Sequence, residues 1–488
     1  MENKGLTNPI FKFFSRYLRE LIEFSLGQWF SAIINFIALP FISRLISPSE
    51  FGKGSMFLIA SSLFYIFISL GTDQSYLRYF HRVSPDKLGE LFWTCVCIPL
   101  CFFIILQPLL FFTSNKLSYL VTGESELKIL VYLDLAVLTT LFREFLAARI
   151  RMKGKGLVFS INNVIVGILN VFISIIYAKY IAPGFLALVW GQIVSNIVSL
   201  AYLLTADREN LLPIKINIYI VKEILAYGFP LMISMLAFWL FTYLGRLLLR
   251  FYFTFEDIGA YSAAIRILGV LNLINASIQI YWIPKSFEIY EKRQERIKDF
   301  KNITQILSGV LGLISLLMIA FKDVIFKLLA SEYKKGASFI PYLVLVFVAQ
   351  GLGTVTERGI NFKGKTYLFL LGYIAAIFVQ VMLSIFLVPY FGPRAIAFAV
   401  GLASLVKFSI STYFSVKLYK VDYGLTVIFA DIAILFIVSA VFLWNLSEVL
   451  KYFTIILGII LISFRIIGTY ISLRRDQDFV LSKLFKKD

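Results

Sequence analysis

Histidine occurs once in this sequence, at His81, and cysteine three times, at Cys95, Cys97 and Cys101. Histidine-based catalysis or metal binding therefore has almost nothing to work with. The three cysteines lie together inside one apolar stretch. Their depth excludes a disulfide framework, and a zinc site would lack imidazole or carboxylate partners beside them, so they read as small packing residues. Neither a metal nor any other cofactor is expected. No GxxxxGK[ST] segment occurs, so the chain has no Walker site of its own and is not itself an ATPase. Long polar loops are also missing. The longest, 285–302, carries six basic residues, and there is no room for a soluble nucleotide-binding or large extracytoplasmic domain. The first residues, MENKGLTNPIFKFFSRYLRE, show no short apolar region followed by a cleavage site, so no cleaved signal peptide is expected and the first apolar run serves as the insertion signal.

Apolar residues fill the space instead. They make up 59% of the 488 residues, against about 45–50% in soluble domains. A helix needs about 20 apolar residues to cross about 30 Å of hydrocarbon. Fourteen such runs are legible, near 21–45, 51–71, 91–113, 126–148, 157–180, 185–206, 224–253, 259–284, 303–321, 338–357, 366–389, 395–417, 425–444 and 452–472. Continuous runs of this length exclude an outer-membrane barrel, whose strands alternate over about 10 residues. The net charge of +18 does not point to nucleic acid, because the basic residues sit between the spans. Their concentration in the two tails and in alternate loops follows the positive-inside rule and predicts both termini in the cytoplasm.

The second six spans echo the first six. Lys153-Gly154-Lys155 recurs as Lys363-Gly364-Lys365, an offset of 210 residues, and Tyr180, Pro183, Ala187 and Gly191 recur as Tyr390, Pro393, Ala397 and Gly401. Pro48-Ser49-Glu50-Phe51-Gly52 is answered more loosely by Phe255-Glu256-Asp257-Ile258-Gly259. An even number of spans per repeat gives both lobes one topology, related by a pseudo-twofold along the membrane normal. The expected fold is an all-α polytopic membrane protein of about 14 transmembrane helices. It comprises an N-lobe (1–210), a C-lobe (211–420) and two extra C-terminal helices with a cytoplasmic tail (421–488).

Ionisable side chains at membrane depth cost about 2.5–3.5 kcal/mol each on insertion scales, so each needs a reason. On span seven, Trp239, Tyr243, Arg246 and Arg250 follow at helical spacing on one face. Arginine grips phosphate oxygens in pairs, and aromatic faces suit sugar rings. Both arginines either line a cavity or snorkel to the headgroups. Arg266 on span eight either lines the cavity or forms an internal salt bridge. Lys407, with Ser404 and Ser411 on its face, is placed on a polar cavity. Arg143 and Glu144 either pair or help recruit a ligand. Asp134 and Asp431 are the candidate ion-coupling acids, or else hydrogen-bond between helices. Polar stripes run along span one (Gln28, Ser31, Asn35), span five (Asn163, Gly167, Asn170) and span six (Gln192, Asn196, Ser199), for a cavity or for helix packing. Basic residues outnumber acidic ones within the spans, the reverse of what a drug-cation exporter would show. A positive cavity attracts anions.

Gly71-Thr72-Asp73-Gln74-Ser75-Tyr76-Leu77-Arg78-Tyr79-Phe80 and Ser47-Pro48-Ser49-Glu50-Phe51-Gly52 resemble signatures of the bacterial polysaccharide (O-antigen type) flippases. Ile258-Gly259-Ala260-Tyr261-Ser262, leading to Arg266, looks like the matching stretch of the second lobe, and Arg149 to Lys155 is typical of the loop after span four. That family belongs to the MOP/MATE-like superfamily, with the multidrug and toxin extrusion transporters and the lipid II flippases. The resemblance implies alternating-access movement of undecaprenyl-diphosphate-linked oligosaccharide across a bacterial cytoplasmic membrane, for O-antigen, capsule or lipopolysaccharide synthesis. It implies membrane lipids, a polysaccharide polymerase and chain-length machinery as partners. By position, Arg78, Arg246 and Arg266 match places where the family often has arginine. The residue before Arg246 is Gly245, where many relatives carry an acid. An ion-coupled exporter of small molecules is the alternative. A membrane polymerase or ligase is disfavoured, because such enzymes need a long extracytoplasmic loop.

Overall fold

The structure is a computed structural model and describes residues 29–31, 33–207, 214–292 and 297–484. All regular elements among the described residues are helical. In chain order they are α1 (Trp29–Leu45), α2 (Pro48–Ser69), α3 (Thr72–Tyr79), α4 (Leu88–Thr122), α5 (Leu127–Met152), α6 (Gly156–Tyr180) and α7 (Leu186–Ala206). There follow α8 (Val221–Tyr252), α9 (Phe255–Lys292), α10 (Lys298–Ala320), α11 (Lys322–Phe326), α12 (Ile340–Thr356) and α13 (Arg358–Phe362). The last four are α14 (Tyr367–Phe391), α15 (Pro393–Leu418), α16 (Leu425–Leu443) and α17 (Glu448–Leu484).

Among the described residues, twelve helices are long and apolar enough to cross a membrane: α2, α4, α6 to α10, α12 and α14 to α17. The expected count of fourteen is not reached on that measure. At the fourth expected position α5 has 26 residues, but Lys128, Asp134, Arg143, Glu144, Arg149 and Arg151 interrupt its apolar character. At the first, the described helix is the shorter Trp29–Leu45. Large apolar side chains point outward along these helices; Phe112 is 84% exposed and Phe464 79%. Apolar surface on that scale is stable against lipid and not against water. The chain is a multi-pass membrane protein.

It divides into two compact units, Met1–Trp239 and Leu240–Asp488, parted within α8. In the first unit, α6 lies along α7, and α5 packs on α7, α4 and α2. An aromatic knot of Tyr76, Phe80, Phe92 and Phe145 meets edge to face, the preferred arrangement for rings. In the second unit α12 is the most enclosed helix, held between α15, α9 and α10, while α14 lies along α15.

Local chemistry explains the motifs. Ser47 caps α2 by accepting from the Glu50 amide, and Pro48 occupies the first turn, where its missing N–H costs nothing. Glu50 in turn accepts from the Phe185 amide at 2.8 Å. At the start of α9, Thr254 and Asp257 hold each other in a reciprocal cap. After α2 the chain turns sharply at Leu70 (φ 49°) and Gly71 (φ 71°). A Cβ on Gly71 would lie 2.1 Å from the Gly228 carbonyl oxygen, so the corner seats directly on the backbone of α8. Ser75 Oγ fastens it by donating to the Ile224 carbonyl at 2.7 Å.

The repeated Lys-Gly-Lys segments adopt one turn. Lys153 N donates to Arg149 O, Gly154 N to Arg151 O and Lys155 N to Ile150 O; Lys363, Gly364 and Lys365 donate to Gly359, Asn361 and Ile360 in the same pattern. Both glycines are left-handed, at φ 71° and 64°, as this helix stop requires.

Candidate functional site

The first unit holds an open polar cleft of about 440 Å³. Arg143, Glu144, Ala147 and Arg151 line it from successive turns of α5, Asn163 and Phe159 from α6, and Ser31 and Asn35 from α1. Four-residue spacing puts Arg143, Ala147 and Arg151 in one row. The Arg143 guanidinium is hydrogen-bonded to Glu144, and its Nε is buried with no hydrogen-bond partner among the described residues. Arg151 lies over the Phe159 ring at 5.4 Å. Asn35 Nδ2 donates to the Ser31 carbonyl at 2.8 Å. Close by, Asp73 is buried. Its burial raises the carboxyl above the ordinary aspartate range against a hydrogen bond from Gln74, and the Glu144 charge adds to the rise. The cleft thus offers two guanidinium groups, amides and one carboxylate to a polar guest.

The other sequence candidates are distributed through the two units. Gln28 lies outside the described residues. Arg78 is exposed and stacks over Tyr227 at 4.1 Å, a cation–π contact. Trp239 Nε1 donates to Ser62 Oγ at 2.8 Å. In the second unit Arg246 Nε donates to Ser262 Oγ at 3.2 Å and lies over Tyr243 and Tyr261, with no ion pair among the described residues. Gly245 permits this arrangement, since a Cβ there would be 2.9 Å from the Tyr261 hydroxyl. Arg250 sits over Phe255 at 4.4 Å. Arg266 lies beside Tyr333 and within electrostatic reach of Arg246.

Lys407, expected on a polar cavity, is paired with a carboxylate. Its Nζ lies 2.8 Å from each carboxylate oxygen of Glu357, between the rings of Phe369 and Tyr373. Arg143 and Glu144 likewise pair. Asp134 accepts from Gln107 of α4 at 3.2 Å. Asp431 accepts from Ser308 of α10 and from Arg465 of α17, joining three helices.

Two constellations escape a sequence reading. Glu357 stands at the end of an apolar run, 50 residues from its lysine, and no periodicity links the two. Arg149, fully buried, donates to Asp207 at 2.8 Å, and Lys153 and Lys155 gather on the same carboxylate. Burial disfavours ionisation of Asp207, but the hydrogen bonds from Lys153 and Arg149 outweigh it and hold its carboxyl below the usual aspartate range. The basic run from Arg149 to Lys155 was the available signal, without its acid.

Membrane-length helices in two units, the first of which holds a basic polar cleft, define the class: a polytopic membrane protein. The fold is shared with "Lipid II flippase MurJ, inward closed conformation" (TM-score 0.69, 14% identity, 93% of this chain and 99% of that one). It is shared as well with an inward-facing multidrug resistance MATE family transporter of the MOP superfamily (TM-score 0.59, 14% identity, 83% and 99%). A Haemophilus influenzae "Uncharacterized membrane protein" is 22% identical over 368 residues, 72% of this chain and 81% of that protein. The family described as "Polysaccharide biosynthesis protein" matches residues 17–290, and this chain belongs to it.

Proposed function

We propose that the protein is a flippase that carries undecaprenyl-diphosphate-linked oligosaccharide repeat units, of O-antigen, capsule or a similar polysaccharide, from the cytoplasmic to the outer leaflet by alternating access. The observation that carries this reading is the cleft of Arg143, Arg151, Asn35 and Asn163, lined by α1, α5 and the membrane-length helix α6. A diphosphate and a sugar must both cross a layer that rejects them. Guanidinium groups match the phosphate oxygens, and carboxamides match sugar hydroxyls. Arg246, set against two tyrosines with no carboxylate paired to it among the described residues, supplies a second anion-seeking group in the other unit. Membership in the polysaccharide biosynthesis family and the shared fold with a lipid II flippase support the same passenger class.

On this reading the membrane is a bacterial cytoplasmic membrane with both termini inside, and the polymerase and chain-length machinery receive the product. With the inside negative, the membrane potential assists outward movement of anionic charge by about 2.3 kcal/mol per charge per 100 mV. The partners of Asp134 and Asp431 favour helix-to-helix fastening over ion carriage. No bond is made or broken in the transfer, so no catalytic residue is assigned.

Deletion of the gene tests the proposal. Lipid-linked oligosaccharide should accumulate on the cytoplasmic face, and wild-type protein should clear it. Arg143→Ala and Arg246→Ala should each fail to clear it at wild-type protein levels. A deletion strain with no lipid-linked sugar accumulation would refute the function; full clearance by both variants would refute the site.

A further inference from the structure

We infer that Glu357 is an internal stand-in for the anionic group of the passenger: it occupies the cation site of Lys407 and Arg358 and yields it to a diphosphate. The inference rests on the reading that the passenger bears a diphosphate, and names where the second unit engages it.

The carboxylate stands in an unfavourable place. Glu357 is 6% exposed and sits at the junction of α12 and α13, where a charge taken out of water needs a partner. Gly353 leaves room for the carboxylate in this pose; a Cβ on Gly353 would lie 2.7 Å from Glu357 Oε1. What holds it is Lys407, whose Nζ contacts both oxygens at 2.8 Å. A second cation is adjacent. Arg358 follows Glu357 in sequence and lies within electrostatic reach of both Glu357 and Lys407. The Arg358 Nε is buried without a hydrogen-bond partner among the described residues, as is the hydroxyl of Ser411, one helical turn beyond Lys407. The cluster therefore has two cations to one carboxylate, plus two unused donors. A phosphate offers more acceptor oxygens and more charge than a carboxylate, so it can satisfy Lys407 and those donors together.

The site is built to admit exchange. Lys407 keeps 17% of its side chain exposed, against 8% for Glu357, so the lysine is the more accessible member of the pair. Phe369 and Tyr373 flank the ammonium at 5.5 and 5.3 Å and stabilise the cation while the carboxylate moves away. Gly372 brings α14 close against Ser411, since a Cβ there would lie 2.9 Å from Ser411 Oγ.

The test is calorimetric titration of the full-length protein in nanodiscs with inorganic pyrophosphate, and separately with farnesyl diphosphate. Glu357→Gln removes the competing charge and should tighten pyrophosphate binding by about tenfold. Lys407→Met alone would strand a buried carboxylate, so the informative partner is the double variant Glu357→Gln/Lys407→Met, which removes both members of the pair. It should lose the whole gain and bind more weakly than wild type. A response to both probes assigns the site to the diphosphate itself; a response to farnesyl diphosphate alone assigns it to a lipid-borne diphosphate. Unchanged affinity in Glu357→Gln, equal affinity in the single and double variants, or no binding of either probe by any variant would overturn the inference. None of those outcomes affects the accumulation test of the flippase reading.

Discussion

At the scale of single residues, charge pairing decides what each ionisable group does. Asp207 is the clearest structural case. Replacement by alanine would leave Arg149 buried without its acid and should destabilise the protein by about 3–5 kcal/mol, measured by thermal unfolding in detergent. Lys153→Ala should cost far less, because that lysine is partly exposed. The same site predicts a pH dependence. The Asp207 carboxyl is depressed in the folded protein, so its contribution is complete above the unfolded aspartate pKa of about 3.9 and is lost as the pH falls through the lower folded value. Wild-type protein should therefore lose stability below about pH 4 more steeply than Asp207→Asn, as read from unfolding midpoints across pH. Parallel curves would sink that assignment.

At the scale of elements, two glycines with the same backbone conformation should answer differently to substitution. Gly71 (φ 71°) seats against Gly228, whereas a Cβ added at Gly154 (φ 71°) would meet nothing within 4 Å. Gly154→Ala should cost about 1 kcal/mol, the left-handed backbone term alone. Gly71→Ala adds a collision with backbone that cannot move aside, and should cost several-fold more or prevent accumulation of folded protein. Comparing expression and unfolding midpoints of the two variants separates strain from collision; equal effects would show that the α2–α3 corner is not seated on α8 as described. The Gly71-Thr72-Asp73 motif is thus first a corner, and only through Asp73, which feels the Glu144 charge, does it approach the chemistry of the cleft.

At the scale of the whole molecule, the outward-facing phenylalanines and leucines of the twelve membrane-length helices among the described residues dictate where the protein resides. It should remain in the membrane pellet through alkaline carbonate and high-salt washes, which strip peripheral proteins, and should leave it only in detergent. Release by carbonate would contradict the reading of these helices as spans. The two units part inside α8 rather than in a loop, so that helix contributes Tyr227 and Trp239 to one unit and Arg246 to the other. An aromatic and basic face that is continuous in sequence is thereby shared out between two bodies.

Run length and polarity alone determined the all-helical membrane fold, since only a helix satisfies its own backbone in lipid. The repeat was legible for a similar reason: a Lys-Gly-Lys turn after a helix needs a left-handed glycine in either copy, and Gly154 and Gly364 both provide it. Arg143, Asn35 and Asn163 stood out in the sequence because polar groups at membrane depth are rare, whereas Arg151 was visible only as part of a loop motif. What only the tertiary structure decided is which charges are free. Lys407 finds Glu357, Asp431 finds Arg465 and Arg149 finds Asp207 across separations of 34 to 58 residues. Coulombic pairing depends on distance in space, and helix packing, not chain order, sets that distance.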